Sequence, residues 1–215
     1  MPRKVRQHVN PFSLRHLDTG VEPLRLPADK RVEVDLGCAA GHYLFRRAEK
    51  HPESFLVGIE IREVLVDDIN EEARRLGLQN RLQAHYANLL VDFTGLFPPN
   101  SVDLITMQFP DPWFKKKRKK RRALTPEMAL TLPNILKPGG FLFFQTDIFD
   151  VALDALYVLD TELFKKPREE KTLVNVHGPW SFAPQNPLGV PTQRALACKK
   201  KGRKVWRLLF RAVQP

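Results

Sequence analysis

Val32-Glu33-Val34-Asp35-Leu36-Gly37-Cys38-Ala39-Ala40-Gly41, residues 32–41, is a short apolar run that passes into a turn of glycine and alanine. The first half reads as a buried strand at 32–36, and the small residues let the backbone turn tightly and approach a ligand closely. Residues 42–50 continue as a helix, so the segment is a strand–turn–helix unit. The same alternation runs outward from it. Strands are expected at 55–61, 81–86, 102–107 and 141–146, and residues 204–212 alternate in the manner of a terminal strand. Residues 62–76 carry Val64, Leu65, Ile69 and Ala73 near helical spacing, and Gly77 ends that helix. Further helices are expected at 126–136, stopped by Lys137-Pro138-Gly139-Gly140, and at 151–164. Strands alternating with helices predict an α/β fold with a doubly wound, mostly parallel sheet covered on both faces.

In an open sheet of this kind ligands bind beyond the carboxyl ends of the strands. The turn at 37–41 reads GxAxG rather than the GxGxxG of dinucleotide binders, which favours a compact nucleoside–amino acid ligand over a pyrophosphate. Asp35, at its strand end, is placed to accept a hydrogen bond from a cationic amino group. Glu60 closes the second strand in Gly58-Ile59-Glu60-Ile61, where a carboxylate can take both hydroxyls of a ribose. Asn88 follows the third strand and offers an amide to an adenine edge. Each has a plainer reading as a tight turn, a surface carboxylate or a helix cap. Their recurrence in order at successive strand ends argues for a site. On these residues the chain resembles class I S-adenosylmethionine-dependent methyltransferases, whose first motif usually reads (D/E)xGxGxG. Ala39 stands at the middle glycine, which requires the backbone there to keep φ negative.

After the fourth strand comes Gln108-Phe109-Pro110-Asp111-Pro112-Trp113. Two prolines flanking Asp111 stiffen the loop and remove two backbone donors. Methyl transfer needs nucleophile, methyl carbon and leaving sulfur nearly in line, so a stiff loop suits it. A carboxylate beside an aromatic ring suits a planar base: the ring stacks and the carboxylate accepts from an N–H edge. The plainer reading is a proline-rich turn with Trp113 buried in the core. Immediately beyond, Lys115-Lys116-Lys117-Arg118-Lys119-Lys120-Arg121-Arg122 holds eight cations without a carboxylate, against a net charge of +11 for the whole chain. Such a run stays solvated unless phosphates supply the counter-charge, and its place beside Asp111 argues against a mobile loop or a targeting signal.

Phe109-Pro110-Asp111-Pro112-Trp113 followed by Lys115 and Lys120-Arg121-Arg122 resembles the signature of the bacterial tRNA (guanine-N7-)-methyltransferases, FPDPW-x-K-x-R-H-x-K-R-R. Lys117 stands where that family usually has Arg, and Arg118 where it has His. The likeness runs from about residue 31 to the C terminus, with a weaker echo in Arg6-Gln7-His8-Val9-Asn10-Pro11. It implies a Rossmann-like, seven-stranded sheet with an antiparallel C-terminal strand, and S-adenosyl-L-methionine as donor. The expected donor contacts are Asp35, Gly37, Cys38, Ala39, Gly41, Glu60, Ile61, Asn88 and Asp111, with Asp111 as the catalytic residue. The resemblance also implies tRNA contacts at Lys115, Lys117, Arg118, Lys119, Lys120, Arg121, Arg122, Asp147 and Thr192. Near the C terminus the family has T-x-x-E, and this chain has Thr192-Gln193-Arg194-Ala195, so Arg194 and Ala195 complete the expected substrate segment. The target the resemblance implies is the variable-loop guanine at tRNA position 46. Two alternatives stay open: a methyltransferase of the same fold acting on another RNA nitrogen, and a non-catalytic RNA-binding protein whose fold has degenerated at Ala39 and Ala195.

At 215 residues the chain suits one sizeable core. Pro2, Pro11, Pro23 and Pro27 mark residues 1–30 as an irregular basic arm before a domain at 31–215, which includes the basic loop 113–125. Cys38 and Cys198 form no CxxC pair, and the six histidines show no compact ligand spacing, so neither a disulfide framework nor a metal is expected. No stretch reaches the roughly 20 apolar residues of a membrane span, and no signal-peptide core follows the basic start. A cytoplasmic protein with tRNA as partner is the expectation. No obligate protein partner is evident, and monomer and homodimer are both compatible with the sequence.

Overall fold

The computed structural model describes residues 9–17, 20–163 and 171–214. Strands β1 (Arg31–Leu36), β2 (Ser54–Glu60), β3 (Leu82–Tyr86), β4 (Val102–Gln108), β5 (Leu136–Thr146), β6 (Thr172–Asn175) and β7 (Trp206–Val213) form one sheet in the order β3-β2-β1-β4-β5-β7-β6. β1 to β5 pair in parallel, while β7 is antiparallel to both β5 and β6. This is the doubly wound, mostly parallel sheet the sequence predicts. The order reverses between β1 and β4, which opens a crevice at the carboxyl ends of those strands.

Helices α1 (His42–Lys50), α2 (Glu63–Arg75), α3 (Phe93–Leu96), α4 (Pro126–Ile135), α5 (Phe149–Leu163) and α6 (Gln193–Lys200) complete the fold. All seven residues of β2 are buried, because both sheet faces are covered. Phe55, Val57 and Ile59 join one core with β1, α4 and α5, whereas Leu56 joins the other with Leu44 of α1 and Ile69 of α2. On the α1 side Glu33 and Arg47 form a buried bidentate pair at 2.6 and 3.0 Å. Gly58 lies on the same face, where a Cβ would fall 2.6 Å from Leu44 Cδ1 and 2.7 Å from Cys38 Sγ. Gly58→Ala should therefore destabilise the fold by about 1–3 kcal/mol. A urea midpoint lowered at unchanged slope will show it.

The differences from the expected elements are local. α4 ends at Ile135, and β5 already begins at Leu136, so the Lys-Pro-Gly-Gly segment enters the sheet instead of leaving the helix as a loop. It does so through a register shift against Val102 and Leu104, with Gly139 at φ +80°. β7 begins at Trp206 rather than at residue 204, and α5 begins at Phe149 rather than at residue 151. The expected end of that helix at Phe164, like Arg6 to His8 of the arm, lies outside the described residues. The sequence reading did not pick out α3, β6 or α6.

Candidate active site

A cavity of about 730 Å³ opens at the carboxyl ends of the central strands. Asp35, Gly37, Cys38, Ala39, Glu60, Ile61, Asn88, Asp111, Asp147, Thr192 and Arg194 all border it, so residues from separated segments meet in one place. Gly41 does not border it. It caps α1 at φ +70°, and a Cβ there would sit 2.8 Å from Ile69, so this glycine lets α1 approach α2.

The first turn is held by backbone. The amides of Gly37 and Cys38 donate to Ile59 O at 2.8 and 3.1 Å, which ties the turn to β2. Ala39 has φ +52°, contrary to the expected negative value, and its amide donates to Glu60 Oε2 at 2.9 Å. A left-handed alanine costs about 1–2 kcal/mol, which the hydrogen bond to Glu60 helps to sustain. Ala39→Gly should raise stability by roughly 0.5–1 kcal/mol once the looser unfolded chain is counted, visible as a higher melting temperature. Asp35 is buried, and Thr106 Oγ1 and Gln108 Nε2 both donate to its Oδ1. Burial pushes its carboxyl up to about 6 despite those hydrogen bonds. Gln145 Nε2 in turn donates to Gln108 Oε1 at 2.7 Å, a support that no motif announces.

Glu60 sits where the sequence places it, but its oxygens are engaged. Besides Ala39 N, it accepts from Arg62 N at 3.1 Å, Arg62 Nε at 2.8 Å and Arg62 Nη2 at 2.9 Å. A ribose diol can reach both oxygens only if the Arg62 guanidinium moves. Asn88 also differs from expectation. Both amide hydrogens go to the arm, to Pro11 O at 2.8 Å and His16 O at 2.7 Å, while Oδ1 accepts from Leu90 N. The carboxamide expected to read adenine instead fastens residues 11–16 beside the cavity, where Pro11 forms part of the wall. His16 Nδ1 meets Tyr86 Oη at 2.8 Å and strengthens that attachment.

The loop carrying Asp111 is bounded by two left-handed residues, Phe109 at φ +53° and Trp113 at φ +43°. Strain of about 1–3 kcal/mol at each persists only where the surroundings over-determine it. The Phe109 amide donates to Gln145 O at 2.7 Å, and Arg121 lies over the Trp113 ring at 5.0 Å. Arg62 lies close enough for Asp111, after Glu60, to help keep its guanidinium charged. Among the described residues no cluster of histidine, cysteine or acidic side chains could hold a metal, and no helix is long and apolar enough to cross a membrane.

The family model described as "Putative methyltransferase" matches residues 29–208. A tRNA (guanine-N(7)-)-methyltransferase of Synechocystis sp. is 36% identical over 215 residues, covering 96% of both chains. The protein of the same name from Microcystis aeruginosa is 35% identical and covers 97% of each. The chain belongs to the tRNA (guanine-N7-)-methyltransferase family. Solved structures speak to the fold. Geranyl diphosphate C-methyltransferase from Streptomyces coelicolor, seen with S-adenosyl-L-homocysteine, superposes with a TM-score of 0.53 at 13% identity, over 88% of this chain and 74% of that one. An aminoglycoside resistance methyltransferase gives 0.52 at 17% identity, over 88% and 95%.

Within this family member the basic run is divided in its partners. Residues Lys116–Arg121 form a 3-10 helix. Lys115, Lys116, Lys117, Arg118 and Lys120 are exposed, and the Lys120 ammonium lies 5.7 Å from the Phe12 ring centroid. Lys119 and Arg122 depart from the expected run without counter-charge. Lys119 meets Asp150 at 3.1 Å, while the buried Arg122 pairs with Asp150 at 2.6 Å and with Asp154, and donates to Pro112 O at 2.8 Å. Arg122 thus anchors the Asp111 loop to α5 rather than facing solvent.

The Thr-x-x-Ala segment starts α6. Thr192 Oγ1 accepts from Ala195 N at 3.1 Å, so this hydroxyl caps the helix as well as bordering the cavity. Ala195 faces away from the cavity, toward a second one. Arg194 meets the nearly buried Asp147 at 2.7 Å. Burial alone would raise the Asp147 carboxyl, but Arg194 outweighs it and holds the group below its usual range. In this chain Asp147 is therefore presented already paired.

Proposed function

We propose that this protein transfers the methyl group of S-adenosyl-L-methionine to N7 of guanine in tRNA, and that its target is the variable-loop guanine at position 46. The observation that carries the reading is the meeting of Asp111 and the Gly37 turn in one cavity, directly beside the cationic 3-10 helix. A Cβ built on Gly37 would meet no protein atom, so that position leaves room for a ligand. Carboxylates at Asp35 and Glu60 suit a ligand with an ammonium group and a ribose diol, and so the residues fit the donor. When bound, S-adenosyl-L-methionine supplies a methyl group on a positively charged sulfur.

The residues have distinct tasks in this reading. Asp35 accepts from the donor's ammonium, and Glu60 takes its hydroxyls as Arg62 swings aside. Guanine N7 has an in-plane lone pair, so no proton need be removed before attack. Asp111 accepts from the guanine N–H edge and offsets the positive charge the ring gains, while Trp113 offers a stacking face. Lys115 and the exposed cations after it hold phosphates, and Asp147, Thr192 and Arg194 border the base. Residues 1–30 serve as an arm whose described part, from Val9, covers one end of the cavity; residues 31–215 form the methyltransferase domain, with the basic loop at 113–125. We place the protein in the cytoplasm, where tRNA is its partner.

Asp35 gives this reading a pH signature. Burial holds its carboxyl near 6, above the ordinary value of 3.8, so its contribution to stability is present below pH 3.8 and lost as pH rises through 6. An ammonium ligand needs the ionised form, so donor affinity should fall as pH drops below 6, approaching about tenfold per unit. Asp35→Asn should bind weakly at pH 8 and lose that dependence, as titration calorimetry will show. The reaction itself is tested with purified protein, labelled donor and two transcripts differing only at position 46. Label should appear as 7-methylguanosine in the guanine transcript and vanish from the adenine one. Label on N1 or N6 would overturn the assignment.

A further inference from the structure

A second basic run lies at the end of α6: Lys199-Lys200-Lys201-Gly202-Arg203-Lys204 carries five cations in six residues. It borders the second cavity, of about 710 Å³, which lies across α6 from the active site. Lys199, Arg203, Lys204 and Arg207 supply its charge, and Phe182 and Trp206 its aromatic wall. The rings of Phe182 and Trp206 are 5.0 Å apart, and Lys204 Nζ lies 3.7 Å from the Trp206 centroid. Arg207 Nε is buried without a hydrogen-bond partner among the described residues. Arg203 approaches Asp147 at 4.0 Å, whereas among the described residues Lys199, Lys204 and Arg207 meet no carboxylate. Such a concentration of unneutralised cations at a concave aromatic surface fits a polyanion that carries planar bases.

We propose that this cavity is a second RNA anchor, taking an unpaired nucleotide of the tRNA whose guanine enters the active site. The proposal rests on the tRNA reading above. α6 joins the two sites physically. Its first turn carries Arg194 against Asp147, its last turn carries Lys199, and eight residues span only about 12 Å. A strand crossing this helix can leave one base in each cavity. The phosphate is held by Lys199, Arg203 and Arg207. The base takes the Trp206 face that Lys204 now covers, and the displaced ammonium turns to the phosphate. Residue Ala195 bears on the same point: lacking a carboxylate, it puts no negative charge on the wall this strand must pass.

The test compares two double variants of the full chain. Lys199 and Lys204 border the cavity, while Lys200 and Lys201 belong to the same run and do not. K199Q/K204Q should raise the Kd for tRNA about tenfold and lower the salt slope by about 2, and K200Q/K201Q should do less than half of that. All four lysines are exposed, and matched melting curves will exclude unfolding. A short single-stranded oligouridylate should also quench tryptophan fluorescence in the wild type and much less in W206F. Equal losses in the two double variants would overturn the built site, as would an unchanged K199Q/K204Q. Wild-type protein that binds no tRNA would overturn the functional reading as well, whereas wild-type methylation with an unaffected K199Q/K204Q overturns the anchor alone.

Discussion

Replacing Asp111 with alanine will lower kcat by about 10²–10³-fold while leaving the Kd for tRNA within about twofold. The carboxylate borders the cavity between Pro110 and Pro112, and the backbone on either side of it is in the left-handed region at Phe109 and Trp113. Holding a non-glycine loop in that state costs energy, and here Gln145 O, Arg121 and Arg122 supply the restraint. Such a loop gains nothing for binding phosphates, a task the proposed function gives to the exposed cations. In the proposed function it fixes one acid where charge develops on the purine, an interaction stronger in the transition state than in the ground state. The loss should therefore appear in kcat and in kcat/KM alike, measured in single turnover with saturating donor. Asp111→Asn keeps the shape and an acceptor but removes the charge, so it should fall between the two. Unchanged single-turnover rates in the alanine variant would remove Asp111 from catalysis.

Much of the fold was legible because its signals are local. The strand at β1, the turn at 37–41 and the helix stop at Gly77 each follow from apolar runs and small residues over a few positions. The seven-stranded sheet itself followed from the resemblance, since β6 is four residues long and sits at an edge, too short for periodicity to register. α6 escaped notice for a different reason: only Cys198 in it is buried, so it has no apolar stripe. Most of the positions read as donor contacts border one cavity, whereas the partners of their side chains depend on the fold. The sequence offers Asn88 either to an adenine edge or as a helix cap, yet both its amide hydrogens go to carbonyls more than seventy residues away, a pairing that only the fold creates. Glu60 suits a ribose diol, but Arg62 stands two residues on, and nothing in their adjacency predicts that its guanidinium folds back onto the carboxylate. An alanine at position 39 argues for a negative φ, whereas the Glu60 carboxylate holds its amide in the left-handed turn. Arg122 looked like its seven neighbours until the fold brought Asp150 and Asp154 against it.

That division within the basic run sets the second large effect. Neutralising Lys116, Lys117 and Arg118 to glutamine should raise KM for tRNA by about 10–100-fold near physiological salt and lower the salt slope by about 3, with kcat nearly preserved. These three are exposed and, among the described residues, meet no carboxylate, so phosphates would be their first counter-ions. Arg122→Gln should behave differently, although it too removes a positive charge. Its guanidinium holds the Asp111 loop through Pro112 O and ties it to α5, so its loss should loosen the loop and lower kcat, with the salt slope almost unchanged. Steady-state kinetics at four or five salt concentrations separate the outcomes. If Arg122→Gln lowers the slope by as much as the triple variant does per charge removed, the ion pairs of Arg122 dissolve when RNA binds and the whole run is a single electrostatic surface. If the triple variant leaves the slope unchanged, the phosphates lie elsewhere, and the cations beside Asp111 do not bring the base to the methyl group.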